Sequence, residues 1–592
     1  MTKATAIKEI DRTKTTPTIF YQVAMPNPAS HLFEVTLQVK GWSAAKLDLR
    51  MPVWTPGSYL VREYTRHLQD FSAFCGETEQ VLSTSKQSKN HWEINTENVS
   101  EITVFYRIFA NNLTVRTNHL DATHGYFNGA ALFFSVSGWE KSAIAVKIIL
   151  PQSDWKISTA LPLVQNETNT FKAKDFDTLV DSPFEIGIHN VYEFEAAGVP
   201  HKYAIWGQGN AKPEQIIEDT KKIIQVEADL FGGLPYSEYL FILHLSDSGF
   251  GGLEHKDSCS LNYPRFNFRD REKYHRFLQL VAHEFFHLWN VKRIRPLALE
   301  TFDYYQENYT TSLWFCEGVT SYYDLLIPLK AGIYDRQTFL KNLSKDINKF
   351  LSTPGRKVQP LGESSFDAWI KLYRRDANSD NSQISYYLKG QLVALLLDLA
   401  IRSRHQNQRS LDDIMVKIWD KFGKDEVGFS PADLWQVIES VADFDLTNFR
   451  DRYINTTQEL PFNEYLKPFG LEVKKVMDDE PFPDLGIKVQ TENGKEIIKF
   501  VSVESNAAKA GIDPLDELLA IDGFRVTASN LSDRLKNYQP GDFIEITLFH
   551  KNELRTFSIQ LQEPRPNRYE VIQIDSPTSS QKQNLSGWLS IK

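Results

Sequence analysis

Residues 274–290 read Tyr-His-Arg-Phe-Leu-Gln-Leu-Val-Ala-His-Glu-Phe-Phe-His-Leu-Trp-Asn, and residues 283–287 match the pattern H-E-x-x-H. Apolar residues recur near the 3.6-residue period without an intervening Pro or Gly, which predicts a helix. Positions four apart share one face of a helix, so His283 and His287 can bind one zinc ion with Glu284 beside its water. The pattern alone is weak, and two structural histidines on a buried helix are the alternative interpretation.

A candidate third zinc ligand, Glu317, follows 30 residues after His287. It lies in residues 313–324, a second stretch predicted to be helical and rich in Trp, Phe, Val and Tyr. A solvated surface glutamate is the alternative, but an unpartnered buried charge is costly and a metal supplies the partner. Three protein ligands and an open position are typical of catalytic zinc. The sequence therefore predicts one Zn²⁺ per chain, bound by His283, His287 and Glu317, with Glu284 as general base.

Composition limits the class of protein. The 592 residues are 42% hydrophobic and 24% charged, which is typical of a globular protein of several domains. The net charge of −10 gives no basic footprint for nucleic acid. The sequence contains no run of 18 apolar residues, so no membrane span is expected. The first residues lack the apolar core of a signal peptide. A cytoplasmic location is expected; a periplasmic or secreted protein trimmed of its leader would look the same. Three scattered cysteines are too few for a disulfide framework or a cysteine zinc site.

Changes of residue pattern divide the chain into five segments. Residues 1–200 alternate apolar and polar side chains in short runs, which predicts an all-β, sandwich-like domain. Residues 201–330 mix strands and helices around the zinc motif, and residues 331–458 continue as helices. Residues 459–565 form a separate β-rich module, and residues 566–592 are a polar tail. The predicted fold class is multidomain α+β.

These motifs resemble the gluzincin metallopeptidases of the aminopeptidase N clan, and most closely the glycyl aminopeptidase family, which adds a PDZ domain. The likeness rests on residues 283–290 and 314–318 and on two family signatures at residues 51–59 and 290–296. It implies a thermolysin-like zinc catalytic domain with a helical C-terminal half. It also implies an aminopeptidase acting on peptides with a free N-terminus, with small first residues such as Gly or Ala preferred.

The resemblance assigns roles to residues outside the zinc motif. Gly251, Gly252 and Glu254 look like the exopeptidase loop, whose glutamate holds the substrate's α-amino group; a loop carboxylate paired with a neighbouring lysine is the alternative. His255 stands where that clan commonly has Asn. This difference concerns how the first residue of the substrate is bound, and His255 is a candidate substrate contact. Tyr387 lies in a Tyr-x-Lys-Gly motif whose tyrosine stabilises the tetrahedral intermediate.

The PDZ-like module leaves two interpretations open. Leu485, Gly486 and Ile487 lie in the loop that in PDZ domains receives the C-terminal carboxylate of a peptide. A C-terminal peptide ligand is one interpretation, and a structural appendage that docks on the catalytic domain is the other. Leu515 stands where PDZ domains usually have Gly. For the whole chain, a catalytically silent PDZ scaffold and a PDZ-regulated endopeptidase are the competing functions; neither nucleic acid nor a membrane is an expected partner.

Zinc-bound histidines usually donate their second N–H to an oxygen. Thr320, Tyr322 and Asp324 are the candidates for that acceptor, and the sequence does not choose among them. Other histidines lack partners at ligand spacing and are predicted to be structural: His189, His244 and His275. In the tail, Trp588 and Leu589 are the apolar candidates for an anchor on the body of the protein.

Overall fold

The computed structural model describes residues 18–477, 480–566 and 568–590. These residues form two compact units. Unit 1 contains the chain up to Glu214 together with Pro235–Asp270 and Phe302–Glu307. Unit 2 contains Gln215–Leu234, Arg271–Thr301 and the chain from Asn308 onward.

Unit 1 is built from short strands, as its alternating sequence predicts. Its N-terminal strands are β1 (Thr18–Ala24), β2 (Leu32–Lys40), β3 (Lys46–Arg50), β4 (Leu68–Cys75), β5 (Thr84–Ser88), β6 (His91–Asn95), β7 (Glu101–Phe109), β8 (His119–Leu120), β9 (His124–Phe127), β10 (Ser135–Val136), β11 (Ile144–Ile149), β12 (Lys156–Ser158), β13 (Thr170–Ala173), β14 (Phe184–Gly187), β15 (Asn190–Ala196) and β16 (Val199–Trp206). A short helix, α1 (Phe176–Val180), precedes β14.

The strands of unit 1 form layered sheets around one apolar core. Their orders are β13-β11-β1-β2-β7-β4, β10-β3-β6-β5 and β12-β14-β9-β8. Alternate side chains of β2, such as Phe33, Val35 and Leu37, are fully buried in that core because successive residues of a strand point to opposite faces. The N-terminal β-sandwich-like architecture is therefore confirmed.

A second part of unit 1 carries the glycine-rich loop. It adds β17 (Tyr239–Ser246), β18 (Gly251–Glu254) and β19 (Ser258–Pro264). These strands join the preceding ones in a sheet of order β15-β16-β17-β19-β18, so β18 is an end strand. The sheet takes strands from both sides of residue 200, the position at which the sequence predicts a domain boundary.

Unit 2 is mainly helical up to residue 466. Its helices are α2 (Pro213–Phe231), which begins two residues before the unit, α3 (Arg271–Phe286), α4 (Thr320–Lys330), α5 (Arg336–Leu351), α6 (Leu361–Phe366), α7 (Ser379–Ser382), α8 (Tyr386–Arg404), α9 (Leu411–Ile418), α10 (Pro431–Ala442), α11 (Thr447–Tyr453) and α12 (Phe462–Leu466). Ser410 and Ser430 are the N-caps of α9 and α10, each in a capping box. By length and composition Ser379–Arg404 could cross a membrane, but 83% of its most apolar window is buried within the protein.

Two helices differ from their sequence prediction. The zinc-motif helix is predicted to reach residue 290, yet α3 ends at Phe286. The next residues tighten into three-residue turns, in which Leu288 N–H donates to Phe285 O. The predicted helix around Glu317 begins as a π-helix, Trp314–Val319, and becomes the α-helix α4 only at Thr320.

The C-terminal part of unit 2 contains the module predicted to resemble a PDZ domain. The elements of this part of the chain are β20 (Leu471–Val476), β21 (Ile487–Glu492), β22 (Lys495–Val501), α13 (Asn506–Ala510), β23 (Glu517–Ile521), β24 (Phe524–Arg525), α14 (Leu531–Leu535), β25 (Phe543–His550), β26 (Glu553–Gln560), β27 (Arg568–Gln573) and α15 (Ser579–Trp588), of which β20 and β27 pair with each other in a sheet of their own. The tail is anchored as expected, because Trp588 is fully buried and its indole N–H donates to the hydroxyl of Tyr322.

Candidate active site

Three side chains of unit 2 converge at the end of α3. Ligand-capable atoms of His283, His287 and Glu317 lie within 4.8 Å of one another. Oε2 of Glu317 lies 3.5 Å from Nε2 of His283 and 3.2 Å from Nε2 of His287. The centroids of the two imidazole rings are 4.6 Å apart, and the rings are nearly perpendicular. Each ring directs its Nε2 toward the carboxylate of Glu317.

These distances fit a tetrahedral zinc ion. Two ligand atoms about 2.1 Å from such an ion are about 3.4 Å apart. The observed nitrogen–oxygen separations of 3.5 and 3.2 Å bracket that value. The donor set of two imidazoles and one carboxylate is also one that catalytic zinc sites use.

The second nitrogen of each imidazole is held by an oxygen. Nδ1 of His283 lies 2.8 Å from Oδ2 of Asp324, and Nδ1 of His287 lies 2.7 Å from the carbonyl oxygen of Asn290. A proton on each Nδ1 leaves the lone pair on Nε2, the form in which imidazole binds a metal. Among the three predicted acceptors, Asp324 takes this role, whereas Thr320 and Tyr322 donate to Cys316 O and to a buried aspartate. Asn290 lies in two of the sequence motifs, but the role of its backbone carbonyl could not be predicted from them, because a backbone carbonyl does not depend on residue type.

The electrostatics of this cluster favour a positive charge at its centre. Burial alone would raise the pKa of Glu317, but the charge of His287 and hydrogen bonds from both histidines lower it to about 2. Burial likewise opposes charge on His283, but hydrogen bonds to Asp324 and Glu317, with the charges of Asp324 and Glu284, raise its pKa well above the usual value. Glu284 itself is buried on α3.

A close helix contact places Tyr387 beside the zinc motif. Gly390 of α8 packs on Gly318 of the π-helix, where a Cβ on Gly318 would lie 2.5 Å from Cα of Gly390. Only glycine permits backbones to approach this closely. Near the start of α8, the ring of Tyr387 faces the ring of His283 at 6.2 Å, and its hydroxyl lies 3.0 Å from that of Tyr373.

The predicted substrate-binding residues lie together in unit 1. Gly251, Gly252 and Glu254 form the end strand β18, followed directly by His255. Glu254 is 4% exposed, and its Oε1 has no hydrogen-bond partner within residues 18–477, 480–566 and 568–590. Nδ1 of His255 lies 3.1 Å from Oδ1 of Asp181.

Glu254 packs against Gly57, a residue that was not among the predicted site residues. Gly57 has a φ of +83°, and a Cβ there would lie 2.4 Å from Oε1 and 2.5 Å from Oε2 of Glu254. Gly57 belongs to the signature at residues 51–59, which was the only available signal. The seat of the Glu254 carboxylate therefore depends on glycine at this position.

The predicted PDZ loop leads into strand β21. Leu485 is buried, Gly486 has a φ of +75°, and Ile487 begins β21. The backbone N–H of Gly486 donates to Oδ1 of Asp484 at 3.1 Å. The loop thus already offers one of its amides to an acidic side chain of the same chain.

Three family models match this chain. The model of the peptidase M61 N-terminal domain matches residues 20–188, that of the M61 glycyl aminopeptidase matches residues 276–393, and that of a PDZ domain matches residues 483–561. A solved aminopeptidase N family protein from Idiomarina loihiensis is 31% identical, with 97% of this chain and 100% of that chain covered and a TM-score of 0.90. The chain belongs to the M61 glycyl aminopeptidase family. This M61 protein is accordingly a zinc metallopeptidase of the aminopeptidase class.

More distant structures match as well. Two M1 zinc metallopeptidase structures from Deinococcus radiodurans, one of them a mutant bound to a Tyr-Ser-Ala substrate, are each 13% identical to the M61 chain. Each covers 75% of this chain and 94% of its own, with TM-scores of 0.47 and 0.46. No curated protein sequence matches at a significant level.

Proposed function

We propose that this M61 enzyme removes single N-terminal residues from peptides, with Glu284 as general base and Tyr387 as oxyanion donor. The observation that carries the proposal is the convergence of His283, His287 and Glu317 at the spacing of tetrahedral zinc ligands. A zinc ion bound there supplies a Lewis acid that acidifies water and polarises the scissile carbonyl.

The protein's own groups then carry the protons. Glu284 lies on the ligand helix next to His283, so its carboxylate accepts the proton of the attacking water and later passes it to the leaving amine. Tyr387 donates its hydroxyl proton in a hydrogen bond to the oxygen that becomes negative in the transition state. The hydroxyl of Tyr373, 3.0 Å away, orients that of Tyr387.

Glu254 is proposed to bind the substrate's α-ammonium group. A buried carboxylate oxygen without a donor is costly, and an ammonium supplies up to three N–H donors with the opposite charge. Because β18 is an end strand in the described sheet, an extended peptide can pair with its edge beside Glu254. A preference for Gly or Ala at the first position rests on the family resemblance alone.

Peptidase assays test the catalytic roles. A panel of aminoacyl reporters should be cleaved only without chelator, and N-acetylated peptides should resist cleavage. Glu284→Gln should reduce turnover to near background, and Tyr387→Phe should reduce it about 100-fold or more, both with zinc still bound. Unchanged turnover would remove the substituted residue from this scheme, and equal cleavage of blocked peptides would favour the endopeptidase alternative.

A matched pair of glycine variants tests the role of Glu254. Gly57→Ala places a methyl group against the Glu254 carboxylate, whereas Gly138→Ala has a nearly identical φ of +84° and no atom within 4 Å. Both variants strain the backbone equally. We expect only Gly57→Ala to raise KM for free-N-terminus substrates, by about tenfold or more, because it displaces a charge-assisted contact. Equal KM values in both variants would contradict the proposed seat of the ammonium group.

A further inference from the structure

Asn290 occupies a strained turn directly after the ligand helix. It is fully buried, and its backbone carbonyl oxygen accepts the hydrogen bond from Nδ1 of His287. The next residue, Val291, has a φ of +112°. A β-branched residue at positive φ is a genuine outlier that persists only where the surroundings fix it. This peptide rotation sets the direction of the Asn290 carbonyl, and hence the orientation of the His287 ring.

The side chain of Asn290 contacts the segment that carries the third ligand. Its Nδ2 lies 3.0 Å from the carbonyl oxygens of both Phe315 and Cys316 and 3.1 Å from Oγ1 of Thr320. Phe315 and Cys316 directly precede Glu317 in the π-helix, and Thr320 begins α4. A π-helical turn is rare and is found mostly at functional sites. Buried backbone carbonyls need hydrogen-bond donors, and here the Asn290 amide is one of them.

We propose that Asn290 is a positioning residue that links two zinc ligands, a role that rests on the proposed zinc site. Its carbonyl fixes the tautomer and direction of His287, while its amide fixes the π-helical turn that presents Glu317. One residue thereby sets the relative placement of the His287 imidazole, directly after α3, and the Glu317 carboxylate in the π-helix. Loss of the amide removes one donor from the carbonyls of Phe315 and Cys316, of which Cys316 O keeps the Thr320 hydroxyl, and the turn around Glu317 relaxes.

Metal affinity tests this proposal without any peptidase assay. In the full chain, Asn290→Ala should weaken Zn²⁺ binding about 10- to 100-fold, the range typical of groups that orient metal ligands. The matched control is Asn118→Ala, which removes another buried amide that donates to a backbone carbonyl, Ala131 O at 2.9 Å in unit 1. The control should lose stability comparably and keep wild-type Zn²⁺ affinity in a competition with a chromophoric chelator.

A spectroscopic signature separates positioning from general destabilisation. In the Co²⁺-substituted protein, Asn290→Ala should change the energy and intensity of the visible ligand-field bands, whereas Asn118→Ala should reproduce the wild-type spectrum. If Asn290→Ala does not fold, Thr320→Val removes one acceptor of the amide together with the hydrogen bond from Thr320 to Cys316 O, and it should weaken Zn²⁺ binding about 2- to 10-fold. Wild-type affinity and spectrum in every folded variant would overturn the proposal. Wild-type enzyme that binds zinc but cleaves no peptide would instead refute the proposed function alone.

Discussion

The described part of the chain contains two clusters of two histidines and a glutamate, and they are built differently. In unit 2, His283, His287 and Glu317 stand 3.2–3.5 Å apart from nitrogen to oxygen. In unit 1, Glu185 lies 3.0 Å from Nδ1 of His124 and 2.8 Å from Nε2 of His244. The first pair of distances fits an ion between the ligands, whereas the second pair fits direct hydrogen bonds.

The two clusters also differ at the outer nitrogen of each histidine, which is the ring nitrogen that does not face the glutamate. In the unit 2 cluster, Asp324 and the Asn290 carbonyl hold both outer nitrogens. In the unit 1 cluster, Nε2 of His124 and Nδ1 of His244 have no hydrogen-bond partner in the part of the chain that the structure describes. Metal-bound histidines nearly always have such a partner.

Both histidines hydrogen-bond directly to the carboxylate of Glu185. The ring of His124 also stacks on the ring of Trp206, with the centroids 3.6 Å apart. The three side chains come from β9, β14 and β17, so the ion pair joins two sheets of unit 1. Identical residue types thus give a metal site or a structural ion pair, depending on spacing and on the second nitrogen.

The largest difference between the clusters should appear in peptidase activity. Glu317→Gln removes a zinc ligand and should abolish peptide hydrolysis, whereas Glu185→Gln should leave the kcat of the folded enzyme unchanged. Aminoacyl-reporter assays at a temperature at which both variants are folded measure this. Full activity in Glu317→Gln would break the assignment.

Glu185→Gln, which should leave kcat unchanged, should lower the free energy of unfolding. Glu185→Gln removes one partner of a fully buried ion pair and should destabilise the protein by about 3–5 kcal/mol. Denaturant unfolding of the chelator-treated protein, followed by a probe in unit 1, measures the loss. A change below about 1 kcal/mol would show that the cluster does not hold its sheets together.

Acid should weaken the unit 1 cluster in a defined pH range. Burial raises the pKa of Glu185, but the charge of His124 and hydrogen bonds from both histidines outweigh it and lower the pKa from 4.5 to about 2. Because the folded-state pKa is lowered, the stabilisation is complete above pH 4.5 and is lost as the pH falls toward 2, by about 3 kcal/mol in total. Unfolding free energies between pH 6 and 2.5 should therefore fall less steeply in Glu185→Gln than in wild type.

The smallest effect is expected at the edge of the unit 1 cluster. Nδ1 of His189 lies 3.9 Å from Glu185, beyond hydrogen-bond distance, and its Nε2 contacts Ser158. His189→Gln should cost about 1 kcal/mol, the size of one lost hydrogen bond. A loss as large as that of Glu185→Gln in the same unfolding experiment would extend the cluster to His189.

Periodicity predicted most of the fold but little of the geometry around the ligands. Strands β2 and β7 follow directly from their alternating apolar residues, and helix α8 follows from residues 391–401, which are apolar nearly all round the helix. The π-helix at Glu317 could not be predicted, because its sequence is equally compatible with an α-helix and only packing on Gly390 and Asn290 selects it.

Other features were hidden because they depend on long-range contacts. His244 was predicted to be structural, but its partners His124 and Glu185 lie on distant strands, so no sequence spacing connects them. At Leu515 the sequence showed the unusual residue but not its backbone conformation. Leu515 replaces the usual PDZ glycine and adopts a φ of +77°, a conformation that costs a residue with a Cβ about 1 kcal/mol or more.

Metal content tests the central claim most directly. Elemental analysis of the purified full chain should find one zinc ion per chain, none in Glu317→Gln and one in Glu185→Gln. Zinc retained in Glu317→Gln and lost in Glu185→Gln would contradict the account, because it would place the metal in unit 1.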